Sequence, residues 1–213
     1  MVQSGPLEDA RTVANMSLVG GRPVVDFVNT VSDRSTGVPY DRLRTFDDLL
    51  ELCVRIELFG HAEAGRLAEA AAERAADAEA ALERARRFRE ALFELFDAEV
   101  GHRPPLPSAV DIVNDVLAEG LKNRRLEPHP DGYSWVWSER AHRLDWMLWP
   151  LAWSAAELLT SSEVGRLKQC AQDDCRWIFL DLSRNRSRRW CTMEDCGNRA
   201  KARRHYHRHR TAD

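Results

Sequence analysis

Hydrophobic residues recur along most of this chain at steps of three and four, the period of an α-helix with one buried face. Pro23 suits a first helical position, and Val24, Phe27, Val28 and Val31 follow it at that spacing, with Asp26 and Asn29 on another side; a strand is the competing reading there. Thr45 and Asp48, three apart, resemble a capping box. Phe46, Leu49, Leu50, Cys53 and Ile56 then extend a helix to about Phe59. From His61 to Val100 the chain is rich in Ala, Glu, Arg and Leu, and Leu67, Leu82, Phe88, Leu92, Leu95 and Phe96 predict two helices or one bent one. Pro104, Pro105 and Pro107 stop it, and Ser108 can cap the next helix, with Val110, Val113, Val116 and Leu117 as its buried stripe.

Between Leu126 and Trp137 the period changes to two. Pro130-Asp131-Gly132 is a turn signal, and alternating Tyr133, Trp135 and Trp137 predict one hairpin with its aromatic face on the helices. The helical period returns from His142 to Leu159, where Trp146, Trp149 and Trp153 share a face. After Ser161-Ser162 a brief helix leads to Cys170, and there aliphatic residues thin out while arginine rises. A domain boundary is placed here, dividing residues 1–163 from residues 164–213. The first dozen residues lack periodicity and read as a loose arm.

Charge sharpens this division. The 213 residues carry a net charge of −3, yet Arg166 to Asp213 holds thirteen Lys+Arg against six Asp+Glu, a balance of +7, which leaves −10 on the rest. A basic end on an acidic body suggests a polyanionic partner for that end. No run of about 18 apolar residues exists to span a bilayer, so no membrane is expected. Glu8, Asp9 and Arg11 stand where a signal peptide needs its apolar stretch, so the expected location is a reducing cytoplasm.

In that compartment grouped cysteines are more often metal ligands than disulfides. Cys170 and Cys175 have four residues between them, fifteen follow, and Cys191 and Cys196 again have four between them. Two such knuckles suit the tetrahedral all-thiolate geometry of structural Zn²⁺, although two intervening residues are commoner than four. Disulfides, an iron–sulfur cluster, or a ligand drawn from His205, His207 or His209 are the alternatives. Trp177, Ile178, Phe179, Leu180 and Trp190 are too few to fold this segment alone, so metal binding must supply folding energy. Gly197 is expected to take a backbone conformation closed to other residues, and Asn198 to hydrogen-bond locally. Cys53, alone among apolar residues, reads as a buried small hydrophobe.

Arg184, Arg186, Arg188 and Arg189 lie between the cysteine pairs. Beyond Cys196 a helix to about Arg210 places Arg199, Arg203, Tyr206 and Arg210 on one face and Lys201, Arg204 and Arg208 on others. With hardly any apolar stripe, that helix is either solvated or completed by a partner, and phosphate matches many arginines best. The competing reading is that these charges merely solvate a core-poor module or dock it on the acidic body.

Cys191 and the run Cys196-Gly197-Asn198-Arg199, followed by Ala200-Lys201-Ala202-Arg203-Arg204-His205-Tyr206, resemble the CGNR zinc finger family of bacterial proteins. In that family the finger ends a mostly helical N-terminal domain assigned to stress-induced transcription regulation, whose opening motif Asp26-Phe27-Val28-Asn29-Thr30 resembles. The likeness spans nearly the whole chain. It implies zinc at the four cysteines and suggests DNA binding and a stress response.

The expected fold is mainly α: a helical N-terminal domain with one β-hairpin, plus a small C-terminal four-cysteine zinc finger ending in a basic helix. No glycine-rich phosphate loop or nucleophile elbow is present, so a binding protein is expected rather than an enzyme. The leading reading is a zinc-binding, DNA-binding transcription regulator; a protein-interaction module follows, and an enzyme comes last. Expected partners are double-stranded DNA and a small-molecule inducer, with a homodimer left open. Trp135, Trp146, Trp149 and Trp153 either belong to the core or line the inducer's pocket. Asp26 and Asn29 suit helix capping or pairing with an arginine better than ligand binding.

Overall fold

A computed structural model describes residues 11–138 and 143–210, with only the backbone at His205 and 207–210. The loose arm predicted before residue 11 and the helix start predicted at His142 fall outside these residues. Among the described residues seven α-helices and three two-stranded antiparallel ladders form the fold. No described helix is long and apolar enough to cross a membrane.

Helix wins over strand at α1 (Pro23–Val28), which carries proline in its first turn and buries five of its six residues. The chain then forms β1 (Val31–Ser32) and its partner β2 (Tyr40–Asp41). The capping box closes α2 (Phe46–Arg55): Thr45 Oγ1 accepts from the Asp48 amide at 3.2 Å, and Asp48 accepts from the Thr45 amide at 2.8 Å. This helix stops short of Phe59 because Glu57 turns to φ 60° and the Leu58 amide bonds back to the Cys53 carbonyl at 2.9 Å. Residues 61–100 form two helices, α3 (His61–Glu73) and α4 (Ala75–Val100).

Ser108 does not cap α5 (Pro107–Lys122). That helix starts two residues earlier than a Ser108 cap would place it, on Pro107 after Leu106, and leaves Ser108 inside its first turn. Val113 and Val116 are buried as predicted, and Val110 and Leu117 are partly so.

The hairpin forms from β3 (Arg124–His129) and β4 (Gly132–Trp137), turning at Gly132 with φ 129°. Its aromatic face does not lie on the helices: Tyr133 is 73% and Trp135 60% exposed. The ribbon leaves directly from the end of α5, so only its base, where Arg124 faces Trp137, reaches the body.

Trp146 sits in the turn before α6 (Leu148–Thr160) rather than on it. Both Trp146 and Trp149 are at most 2% exposed; Trp146 meets the Phe59 ring at 5.4 Å and Trp149 meets Trp137 at 6.3 Å. Gly120 of α5 allows this fit, since a Cβ there would lie 2.9 Å from Trp149 Cβ. Helix α5 packs on both α4 and α6, and α1 packs on the same two helices, which makes a single apolar core.

Candidate metal centre and its basic surroundings

After a 3₁₀ turn at Val164–Arg166, β5 (Leu167–Gln169) pairs with β6 (Ile178–Leu180), Gln169 opposite Ile178. Two and three residues are too short a run for alternation to show in sequence, which is why these ladders and β1–β2 were not predicted. The β5–β6 ladder closes the first knuckle. The Cys170 amide bonds the Trp177 carbonyl at 2.8 Å, and Arg176, at φ 55°, turns the chain just after Cys175. In the second knuckle Thr192 Oγ1 accepts from the Asp195 amide and starts a π-helical turn, Met193–Gly197, that carries Cys196 into α7 (Asn198–Arg210). An Ala171 to Arg189 backbone bond of 2.8 Å ties the knuckles together.

All four sulfurs lie within 4.8 Å of one another, with Cys175 to Cys191 at 3.7 Å and Cys191 to Cys196 at 3.5 Å. Thiolates arranged tetrahedrally at about 2.3 Å from zinc stand about 3.8 Å apart, so the site has the size of a zinc tetrathiolate. These separations are far beyond a disulfide bond, and all five cysteines are free. Each of the four is buried. The zinc held here is structural, since four protein ligands complete its shell. The Cys191 amide points to Cys170 Sγ at 3.4 Å and Arg199 to Cys196 Sγ at 3.3 Å, which spreads the thiolates' negative charge. Cys53 is fully buried elsewhere in the core, where burial pushes its thiol up.

Gly197 is not held by a backbone conformation closed to other residues. A Cβ there would come within 2.7 Å of Met193 Sδ, the far end of an exposed, flexible side chain that can move aside, so sterics do not demand glycine at this position. Asn198 does bond locally, to the Glu194 carbonyl at 3.0 Å.

The arginines separate into two groups. Arg188 is turned inward: it donates to the carbonyls of Val19, Trp190 and Cys191 and lies 4.1 Å over the Phe179 ring. Arg199 pairs with Asp174 at 2.8 Å and Asp195 at 3.0 Å, and Arg203 pairs with Asp173 at 2.8 Å, so this face of α7 is fastened to the finger. Arg184, Arg186, Arg189, Lys201 and Arg204 are exposed and make no ion pair among the described residues. The side chains of Arg208, Arg210 and the three C-terminal histidines lie outside the description.

Sequence reasoning missed how the finger is seated. Asn29 grips β6 with both ends of its amide, donating to the Ile178 carbonyl at 2.8 Å and accepting from the Ile178 amide at 2.9 Å. Trp177 Nε1 donates to the Val31 carbonyl at 3.0 Å, and Asp97 of α4 receives Gln169 and Arg176 at 2.9 and 2.6 Å. Burial would raise the Asp97 carboxyl, but hydrogen bonds from Arg103, Arg176 and the neutral Gln169 amide, with the Arg176 charge, outweigh it and hold the group below its usual range. Asp26 accepts from the Gly20 amide at 2.8 Å instead of pairing with an arginine, while Leu180 N reaches the Gly20 carbonyl at 2.9 Å. An asparagine and an aspartate inside an otherwise apolar helix were the available signal.

The tryptophans have protein partners of their own. The Arg124 guanidinium stands over Trp135, Trp137 and Trp153 at 5.4, 4.2 and 5.2 Å, while Trp146 and Trp149 are sunk in the core.

A family model described as "putative stress-induced transcription regulator", the ABATE domain, matches residues 21–162, and one described as "CGNR zinc finger" matches residues 166–209. Among curated proteins, none matches the chain. Two thirds of its length following the first model, and its four clustered thiols the second, the chain belongs to the ABATE family of transcription regulators so described and ends in a CGNR finger built on structural zinc.

Proposed function

We propose that the chain binds double-stranded DNA through its zinc finger and acts there as a regulator rather than as an enzyme. The observation that carries this reading is the division among the cations. Arg199 and Arg203 are exposed but paired with carboxylates of the finger, whereas Arg184, Arg186, Arg189, Lys201 and Arg204 are exposed and make no ion pair among the described residues. Lys201 and Arg204 are three apart on α7, and Arg208 follows one turn later on the same side of its backbone. Such a row suits the phosphates flanking a groove, and the family's description as regulators agrees with it. A protein partner is the second reading, favoured by the exposed Tyr133, Trp135 and Leu126 on the hairpin.

The test is fluorescence anisotropy on a mixed-sequence duplex across a salt series, with the zinc-loaded chain. Affinity should fall steeply with salt, and replacing Lys201, Arg204 and Arg208 together by Ala should reduce the log–log slope by about 3 while zinc content is unchanged. A chain that holds zinc yet leaves duplex DNA free at low salt would move the assignment to a protein partner.

A further inference from the structure

A cavity of about 410 Å³ opens where the segment from Arg11 to Ser17, the β1–β2 ladder and the finger meet. Its volume lies in the range of small-ligand sites, roughly 300–1,000 Å³. Three arginines face it. Arg11 is neutralised by Asp33 at 2.5 Å, and Arg199 by Asp195 and Asp174.

Arg42 is different. Its side chain is buried, with the residue 8% exposed, and among the described residues it has no carboxylate partner. One terminal nitrogen donates to Ser32 Oγ at 2.6 Å, whereas the buried Nε donates to nothing described. The guanidinium carbon lies 5.4 Å from the centre of the Trp177 ring and 5.8 Å from that of Tyr40. Burial draws its pKa below the ordinary arginine value, and the nearby Arg11 adds to that. A guanidinium keeps its charge and presents donors in a planar fork, so a buried one with an idle donor and no carboxylate beside it is half of an ion pair.

We propose that this cavity binds a small monocarboxylate, its two oxygens on Arg42 and its body against Trp177 and Met16. The choice of one negative charge follows from the opposite wall. Cys175 and Cys191 line the same cavity, and four thiolates around Zn²⁺ leave two negative charges there. The second charge of a phosphate monoester would meet that dianion, whereas one planar carboxylate is satisfied by the Arg42 fork alone. An occupant would touch the helical body and the finger together and so add to the contacts that join them. The regulator reading supplies a use for such a site, but binding is measured without DNA, so either proposal can fail while the other stands.

The test uses benzoate as the probe on the zinc-loaded full chain, by equilibrium dialysis and by NMR of the Arg42 Nε–H. One saturable benzoate per chain and a shifted Nε–H resonance are expected, with phenyl phosphate and benzamide competing at least about tenfold less well. Arg42→Lys keeps the charge but loses the fork, and should weaken benzoate by about tenfold or more with zinc retained. If that variant does not fold, Ser32→Ala, which removes only the hydroxyl that orients Arg42, should weaken benzoate by about threefold. No saturable binding up to about 10 mM benzoate, which is weaker than any specific small-ligand site needs, overturns the proposal. So does equal competition by phenyl phosphate. Loss of zinc with unchanged benzoate affinity in Arg42→Lys overturns it too, and makes Arg42 a counter-ion of the metal site. Binding that appears only in a Glu8→Gln/Asp9→Asn chain would assign Arg42 to the chain's own carboxylates.

Discussion

The helical body and the finger are held by different physics within one continuous apolar core. Residues 23–160 bury Phe27, Phe88, Phe96, Leu92, Trp146 and Trp149 in an apolar core far richer than the finger's own. The finger owns Trp177, Ile178, Phe179 and Leu180, and spends all four against the body, where Asn29 and the Gly20 carbonyl complete the hydrogen bonds of β6. Its second knuckle and α7 have almost no apolar support, so zinc must hold them. A metal-built module is thus fastened to a core-built one through direct hydrogen bonds from Asn29 and the Val31 carbonyl.

The largest expected break comes from the metal. Removing zinc by chelation withdraws an apparent binding energy of roughly 10–16 kcal/mol, and replacing Cys191 by Ser withdraws part of it, so the second knuckle and α7 should lose order. Amide NMR should show those signals collapse while α4, α5 and α6 persist; loss of all signals together would mean that the body needs zinc too.

Next comes the core. Trp149→Ala should cost about 3–5 kcal/mol in denaturant unfolding, the range for large buried aromatics, and leave one zinc per chain. A matching loss of zinc would erase the distinction between the two regions.

A pH series probes the seam. Burial raises the Asp26 carboxyl to about 6 in spite of the amides of Gly20 and Val19 that bond it. The folded chain therefore keeps a proton there that the unfolded chain releases near pH 4. This group's stabilisation is full below that pH and declines by roughly 3 kcal/mol as pH rises to 6, then stays level. Asp26→Asn should flatten that part of the slope relative to the native chain; superimposable slopes would show that Asp26 titrates normally.

The smallest expected effect is the most diagnostic of how the regions are joined. Asn29→Ala leaves both backbone groups of Ile178 without their partner, at a cost of about 2 kcal/mol, and should hasten zinc loss to a chelator. Zinc release at the native rate would show that the seam does not transmit to the metal.

Much of the chain was legible beforehand, and for identifiable reasons. The capping box at Thr45, the turn at Gly132 and the helices on either side of Arg74 rest on local backbone chemistry that any neighbourhood would respect. The four zinc ligands were legible because metal chemistry restricts both residue type and spacing. Arginine roles were not. Arg188 and Arg189 are adjacent and chemically identical, yet one is wrapped by carbonyls and the other faces outward. The aromatic alternation in β4 correctly predicted a strand but not which face would be covered.

By itself the sequence determined the helical class, the tetrathiolate site and the basic end, since periodicity, ligand spacing and net charge are properties of the chain read locally. Only the tertiary structure decided that Asn29 grips β6, that Arg124 is lodged among the tryptophans, and that Arg42 is left without a carboxylate beside the zinc ligands. Those outcomes depend on which groups the fold brings together, in two of the three cases across more than 100 residues of chain, as Asn29 and Ile178 do at a separation of 149.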